Sequence, residues 1–84
     1  MNRLIWKKSA LFEMAEIWEK ATPKERLFLK PLLTYLEGDL MSDPLSVGES
    51  RTGSRRLAIY TPLAIWFEVV DDTVYIYRVT RGRK

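Results

Sequence analysis

Along the last third of the chain, apolar residues fall on every second position. Leu57, Ile59, Ile65, Phe67, Val69, Val74 and Ile76 keep this period through SRRLAIYTPLAIWFEVVDDTVYIYRVTR, residues 54–81. A period of two, in a run dominated by Val, Ile, Tyr, Phe and Trp, is the pattern of half-buried strands. Two turns divide it. Thr61-Pro62 interrupts because proline cannot donate to a central ladder, and Asp71-Asp72 supplies residues that tolerate the left-handed backbone of a tight hairpin. The stretch predicts a three-stranded antiparallel meander. A three-residue loop over Thr61–Leu63 would pair Ile59 with Ile65 and Leu57 with Phe67 on one apolar face. Arg56, Ala58, Tyr60, Ala64, Trp66 and Glu68 would then share the other face. A two-residue turn at Asp71-Asp72 pairs Val69 with Val74 and Phe67 with Ile76, which would bury Arg78 opposite Ile65. An unpaired guanidinium in a core is very costly. A bulge near Tyr77 is therefore expected, turning Val79 inward and aiming Arg78 outward beside Trp66.

Upstream the period changes to that of helices. Leu11, Met14, Ala15 and Trp18, widened by Ala10, Ile17 and Ala21, form an amphipathic stripe with Ser9 as its cap and Trp18 in the core. A second helix opens at Thr22-Pro23-Lys24-Glu25, where a threonine cap, a proline at the first helical position and a glutamate at the third make a capping box. Leu29, Leu33, Leu36 and Leu40 form its apolar row beside Phe28, Leu32 and Tyr35. Pro31 implies either a kink or two helical pieces, and Asp43-Pro44 ends the element. Arg3–Lys7 is a short strand candidate. DPLSVGESRTGS, from Asp43 to Ser54, has no periodic signal, and loops of this length in small domains are often functional. The expected fold class is α+β, a small antiparallel sheet with two helices packed on one face, in the order β-α-α-β-β-β. Residues 1–84 are read as one domain.

Charge adds a direction to this frame. The net charge of the 84 residues is only +3, but the last twelve carry Arg78, Arg81, Arg83 and Lys84 with no acid. Arg51, Arg55 and Arg56 precede the meander. Two basic segments flanking one sheet suit an anionic partner, either phosphate or an acidic protein. With no cysteine and no histidine, disulfides are excluded and the usual zinc ligands are absent, so no metal and no cofactor is expected. No apolar run reaches the ~18 residues of a membrane span. The opening MNRLIWKK meets Glu13, Glu16 and Glu19 before any run long enough for a signal peptide, so a cytoplasmic location is expected.

The order strand, two helices, Asp-Pro loop and meander resembles the RelE/ParE superfamily of toxins from type II toxin–antitoxin systems. The resemblance spans the chain and is carried by LIW at Leu4–Trp6, DPLSVG at Asp43–Gly48, SRRL at Ser54–Leu57 and PLAIWFEVVDDTVYIYRV at Pro62–Val79. It implies an acidic antitoxin as partner. It also implies one of three roles: an endoribonuclease that cuts mRNA on the ribosome, as RelE and YoeB do; a non-enzymatic inhibitor of DNA gyrase, as ParE proteins are; or a degenerate member that only binds its antitoxin.

Ribonuclease chemistry needs a base for the ribose 2′-hydroxyl and cations for the charge on phosphorus. Glu49 or Glu68 is the candidate base. Arg56, which matches an arginine at the start of the meander in YoeB-like sequences, and Arg78 are the candidate catalytic cations, with Arg81 and Arg83 at the end of the last strand. Guanidinium groups stay charged at any cellular pH and grip phosphate as a fixed fork. Trp66 and Tyr75 offer surfaces for unstacked bases, and Arg51, Arg55 and Tyr60 complete the expected substrate-binding set. Ala64 stands where RelE and YoeB carry an arginine early in the third strand, and the late His-Tyr pair of that branch is missing. The expectation for this site is an open face carrying Arg56, Trp66, Tyr75 and Arg78.

Overall fold

The capping box at Thr22 forms as its sequence dictates. Thr22 Oγ1 accepts the Glu25 N–H at 3.1 Å, and the Glu25 carboxylate accepts the Thr22 N–H at 2.9 Å. In this computed structural model, which describes residues 2–51 and 53–82, the elements are strand β1 (Arg3–Trp6), helix α1 (Lys8–Lys20), helix α2 (Pro23–Ser42), a 3-10 turn at Pro44–Ser46, and strands β2 (Glu49–Ser50), β3 (Arg55–Tyr60), β4 (Leu63–Val70) and β5 (Thr73–Arg81). The α+β reading and the packing of the helices on one face hold, with two additions. The sheet has five strands in the order β1-β5-β4-β3-β2, and β1 joins it parallel to β5 while the remaining pairs are antiparallel. The loop expected after α2 supplies β2. Helix α2 runs through Pro31 as one element, which resolves the two alternatives left open there.

The hairpin at Asp71-Asp72 has the expected two-residue turn, with Asp71 in the left-handed region at φ 55°. So does the bulge: the register shifts between Trp66 and Phe67, so that Trp66 opposes Arg78 and Phe67 opposes Ile76, with Tyr77 as the extra residue. Ile65, Phe67, Val74, Ile76 and Val79 are consequently all buried, against Ala10, Met14, Leu29, Leu36 and Leu40 of the helices.

The register of β3 differs from the expectation by one residue. The Thr61-Pro62 turn has two residues, not three, so Ala58 opposes Ile65 and Arg56 opposes Phe67. A slip of one residue exchanges the faces of a strand. Ala58 is buried, Ile59 is 65% exposed, and Arg56 and Tyr60 lie on the helix side. Helix α1 is likewise rotated from its expected stripe. Ala10 and Met14 are buried, Leu11 is 53% exposed, and Trp18 is half-buried rather than a full core residue. Lys7, not Ser9, occupies the cap position; Ser9 Oγ instead donates to the Tyr77 carbonyl at 2.9 Å. Four residues on, a Glu13 carboxylate oxygen accepts the Val79 N–H at 2.8 Å. Helix α1 thus satisfies the flank of β5 beyond the end of β1, which explains why the small Ala10 faces the sheet.

One backbone contact fixes the loop after α2. Gly48 has φ 73°, and a Cβ placed on it would lie 2.3 Å from the Leu57 carbonyl oxygen. Gly48→Ala is expected to cost at least roughly 1–3 kcal/mol for the left-handed conformation alone. In a chain of this size that lowers the thermal midpoint by about 4–8 °C per kcal/mol, measurable by circular dichroism.

Candidate functional site

The loop from Asp43 to Ser50 is built around Arg56. Its Nε donates to the Val47 carbonyl at 3.2 Å, and Nη2 to the carbonyls of Leu45 and Gly48 at 3.0 and 3.3 Å. The sequence placed Arg56 on the open face with Trp66; the structure places it on the opposite face, holding backbone. The one-residue register change is the reason. Fixed in this way, the loop and β3 enclose a trough of about 530 Å³ whose lining includes Asp39, Glu49, Arg51, Ile59 and Tyr60. Tyr60 donates to Asp39 at 3.0 Å, and burial together with that carboxylate pushes its hydroxyl well above the ordinary tyrosine range. It is a neutral donor at any physiological pH. Glu49 and Arg51 face each other at 3.7 Å on the exposed rim. Three of the sequence-predicted residues, Glu49, Arg51 and Tyr60, therefore meet here, with Arg56 behind them.

A second group occupies the helix-free face of the sheet. Arg78 lies over the Trp66 ring at 5.1 Å, Arg55 over Tyr77 at 5.0 Å and Lys7 over Tyr75 at 5.3 Å. Cation–π contacts at exposed sites contribute about 0.5–1 kcal/mol each. Glu68 is on this face too, where it accepts from Ser54 Oγ at 2.7 Å. Arg78 is also 4.0 Å from Glu13 of α1. The alternation that puts Ile5 level with Tyr75 brings Lys7 to this face. Lys7 and Tyr77 were not singled out from sequence, because their positions depend on a parallel pairing and on the bulge.

Arg81 stands apart from both groups. It binds the Glu25 carboxylate, joining the end of β5 to the start of α2. That contact and the Thr22 N–H hold the Glu25 carboxyl down at about 2, and the same contact pushes Arg81 up. Arg83 lies outside the described residues. The candidate catalytic residues are thus divided. Arg78 and Glu68 share the open face, Glu49 lines the trough, and Arg56 is committed to three carbonyls. Among the described residues no cluster of three acidic side chains could hold a metal ion.

No protein-family model and no curated protein matches the chain. Solved structures do match, across nearly its whole length. A chain of the chromosomal ParDE toxin–antitoxin system of P. aeruginosa superposes with a TM-score of 0.79 at 19% identity, covering 99% of this chain and 98% of that one. The RelBE2 toxin–antitoxin complex of Mycobacterium tuberculosis gives 0.71 at 22% identity, with 95% and 96% covered. The isolated E. coli RelE toxin gives 0.62 at 16% identity, with 100% and 87% covered. The fold is that of the RelE and ParE toxins.

Arg56→Ala is expected to lower stability by roughly 1.5–2 kcal/mol, the lower part of the range for bonds from a charged donor, because water can reach the freed carbonyls. Faster amide exchange should be confined to residues 45–51, and an intact loop in this variant would refute the clamp. The Glu25 carboxyl sets an acid limit. Its folded value lies below the ordinary 4.5, so its contribution is complete above about pH 4.5 and drains away as pH falls toward 2. Chemical denaturation from pH 6 to pH 2.5 should show this loss in the parent chain and a flatter profile in Glu25→Gln.

Proposed function

We propose that this chain is the toxin of a type II toxin–antitoxin pair, neutralised by an acidic antitoxin. It works in the cytoplasm by binding a protein target in the ParE manner, with DNA gyrase the target that the resemblance implies. The observation that carries the non-enzymatic part is the commitment of Arg56. A phosphoryl-transfer site needs its base and cations converging on one point. Here one expected cation spends its donors on the Leu45, Val47 and Gly48 carbonyls, and the two candidate bases lie in different places. The absent arginine at Ala64 points the same way. The fold shared with ParE and RelE structures supports the toxin role itself.

One arrangement favours the ribonuclease reading. Arg78 over Trp66, on the same face as Glu68, offers a cation, a stacking surface and a carboxylate together. A single experiment separates the two. Purified chain should inhibit supercoiling by DNA gyrase, and primer extension on cellular mRNA after induction should show no new ends. Growth should recover when a small acidic reading frame beside the gene is expressed with it. New 5′ ends that need the ribosome and vanish in Arg78→Ala would instead establish RNA cleavage, with gyrase unaffected.

A further inference from the structure

The helices cover one side of the sheet and leave the other to water. A solvated sheet face is ordinarily polar. This one carries three half-buried aromatic rings, Trp66 of β4 with Tyr75 and Tyr77 of β5, and over them stand three exposed cations, Arg78, Lys7 and Arg55 in that order. Adjacent residues of a regular strand face opposite ways, and the bulge is what brings Tyr77 and Arg78 to the same side. The three pairs make one band across the sheet. Arg55 comes from β3, Trp66 from β4, both tyrosines and Arg78 from β5, and Lys7 follows the end of β1, so four neighbouring strands contribute. At the usual strand spacing of about 4.8 Å the band is roughly 14 Å wide.

These cations keep their charge for a ligand. A guanidinium or ammonium held over a ring is still charged and retains its N–H donors. Among the described residues Lys7 and Arg55 form no ion pair, and Arg78 has only the 4.0 Å approach of Glu13. Glu68, the carboxylate within the band, accepts from Ser54 Oγ. Charge lacking a counter-ion, interleaved with rings, suits a ligand that is anionic and flat-faced at once. An unpaired polynucleotide is both, and a cationic track with stacking side chains is how such strands are held without base readout. A duplex stacks its bases on one another and offers the rings nothing, while an acidic peptide answers the cations alone. The ribose 2′-hydroxyl is what marks RNA off from DNA. Glu68, the carboxylate placed to accept from it, is engaged by Ser54, so the band favours no ribose.

We infer that the helix-free face binds unpaired DNA, with phosphates on Lys7, Arg55 and Arg78 and bases against Trp66, Tyr75 and Tyr77. The inference deepens the gyrase reading and rests on it for its setting: the chain engages the enzyme together with the DNA that the enzyme holds. Binding is measured without gyrase, by anisotropy of a short fluorescent single strand of DNA mixed with the full chain. The dissociation constant should be about 10–100 μM at physiological salt, with a log–log salt slope of about −2 for three phosphate contacts. A duplex and an abasic strand of the same length should each bind at least tenfold more weakly. In the double variant Lys7→Gln with Arg55→Gln, affinity should fall at least tenfold and the slope to about −0.7. The indole N–H resonance of Trp66 should move on titration with the strand, while that of Trp18 in α1 stays. Equal affinity for the abasic strand would reduce the face to a charge effect and overturn the inference. RNA bound tenfold more tightly than DNA would also overturn it, in favour of the ribonuclease reading. DNA binding by a chain that leaves supercoiling untouched would remove the gyrase reading and keep this one; inhibition of gyrase by a chain that binds no DNA would do the reverse. Were the double variant unable to fold, the Trp66 resonance in the parent chain would still decide.

Discussion

A guanidinium cannot be left unpaired inside a core of this size, and the placement of Arg78 governs more of the structure than any single apolar contact. The bulge at Tyr77 moves Arg78 to the helix-free face and returns Val79 to the core. Without the extra residue, Val79 would face outward and its N–H would not be presented to the Glu13 carboxylate. The docking of α1 on β5, the burial of Ala10 and the stack of Arg78 on Trp66 all follow from that one displaced residue. Bulges commonly set both curvature and side-chain direction. Here a desolvation cost provides the reason for one.

That cost is visible in sequence, and so the meander's second hairpin was legible to the residue. Val69, Phe67, Val74 and Ile76 have only one register that keeps them together, and Arg78 breaks it at a definable point. The first hairpin offered no such penalty. Its two possible faces were Leu57 with Ile59 and Arg56 with Ala58 and Tyr60, and hydrophobicity favours the former. The structure turns the latter toward the helices, burying Ala58 and half-burying Arg56 and Tyr60, whose polar atoms are satisfied from far along the chain. Arg56 finds the carbonyls of Leu45, Val47 and Gly48, and Tyr60 finds Asp39 of α2. Partners of that kind do not appear in a periodicity. The same applies to α1, where seven apolar positions encircle much of the helix and only the demand for close approach to β5 selects Ala10 and Met14 over Leu11.

The candidate site was legible in composition more than in geometry. Arginines on both sides of the sheet and aromatic residues between them did identify the helix-free face, where Arg55, Arg78, Trp66 and Tyr75 lie. The one-residue change in β3 then moved Arg56 out of that group and behind a loop. Its chemistry is unchanged, a fork of donors around a set of oxygens; the oxygens belong to carbonyls of the chain itself. An arginine in a functional-looking motif can thus be the reason that a neighbouring loop holds a shape, while Glu49 and Arg51 pair with each other on its exposed rim.

Gly48 gives this loop an unequal freedom to change. Its Cα passes so close to the Leu57 carbonyl that no side chain fits, and the carbonyls just before it are gripped by Arg56. Substitution there is closed to drift, whereas among the described residues from Glu49 to Ser54 only Gly53 also has a positive φ. Variation among descendants of this sequence would then accumulate downstream of a fixed point. Residues could be exchanged or inserted after Ser50 to suit a changing partner, and the chain would still leave the sheet from the same place.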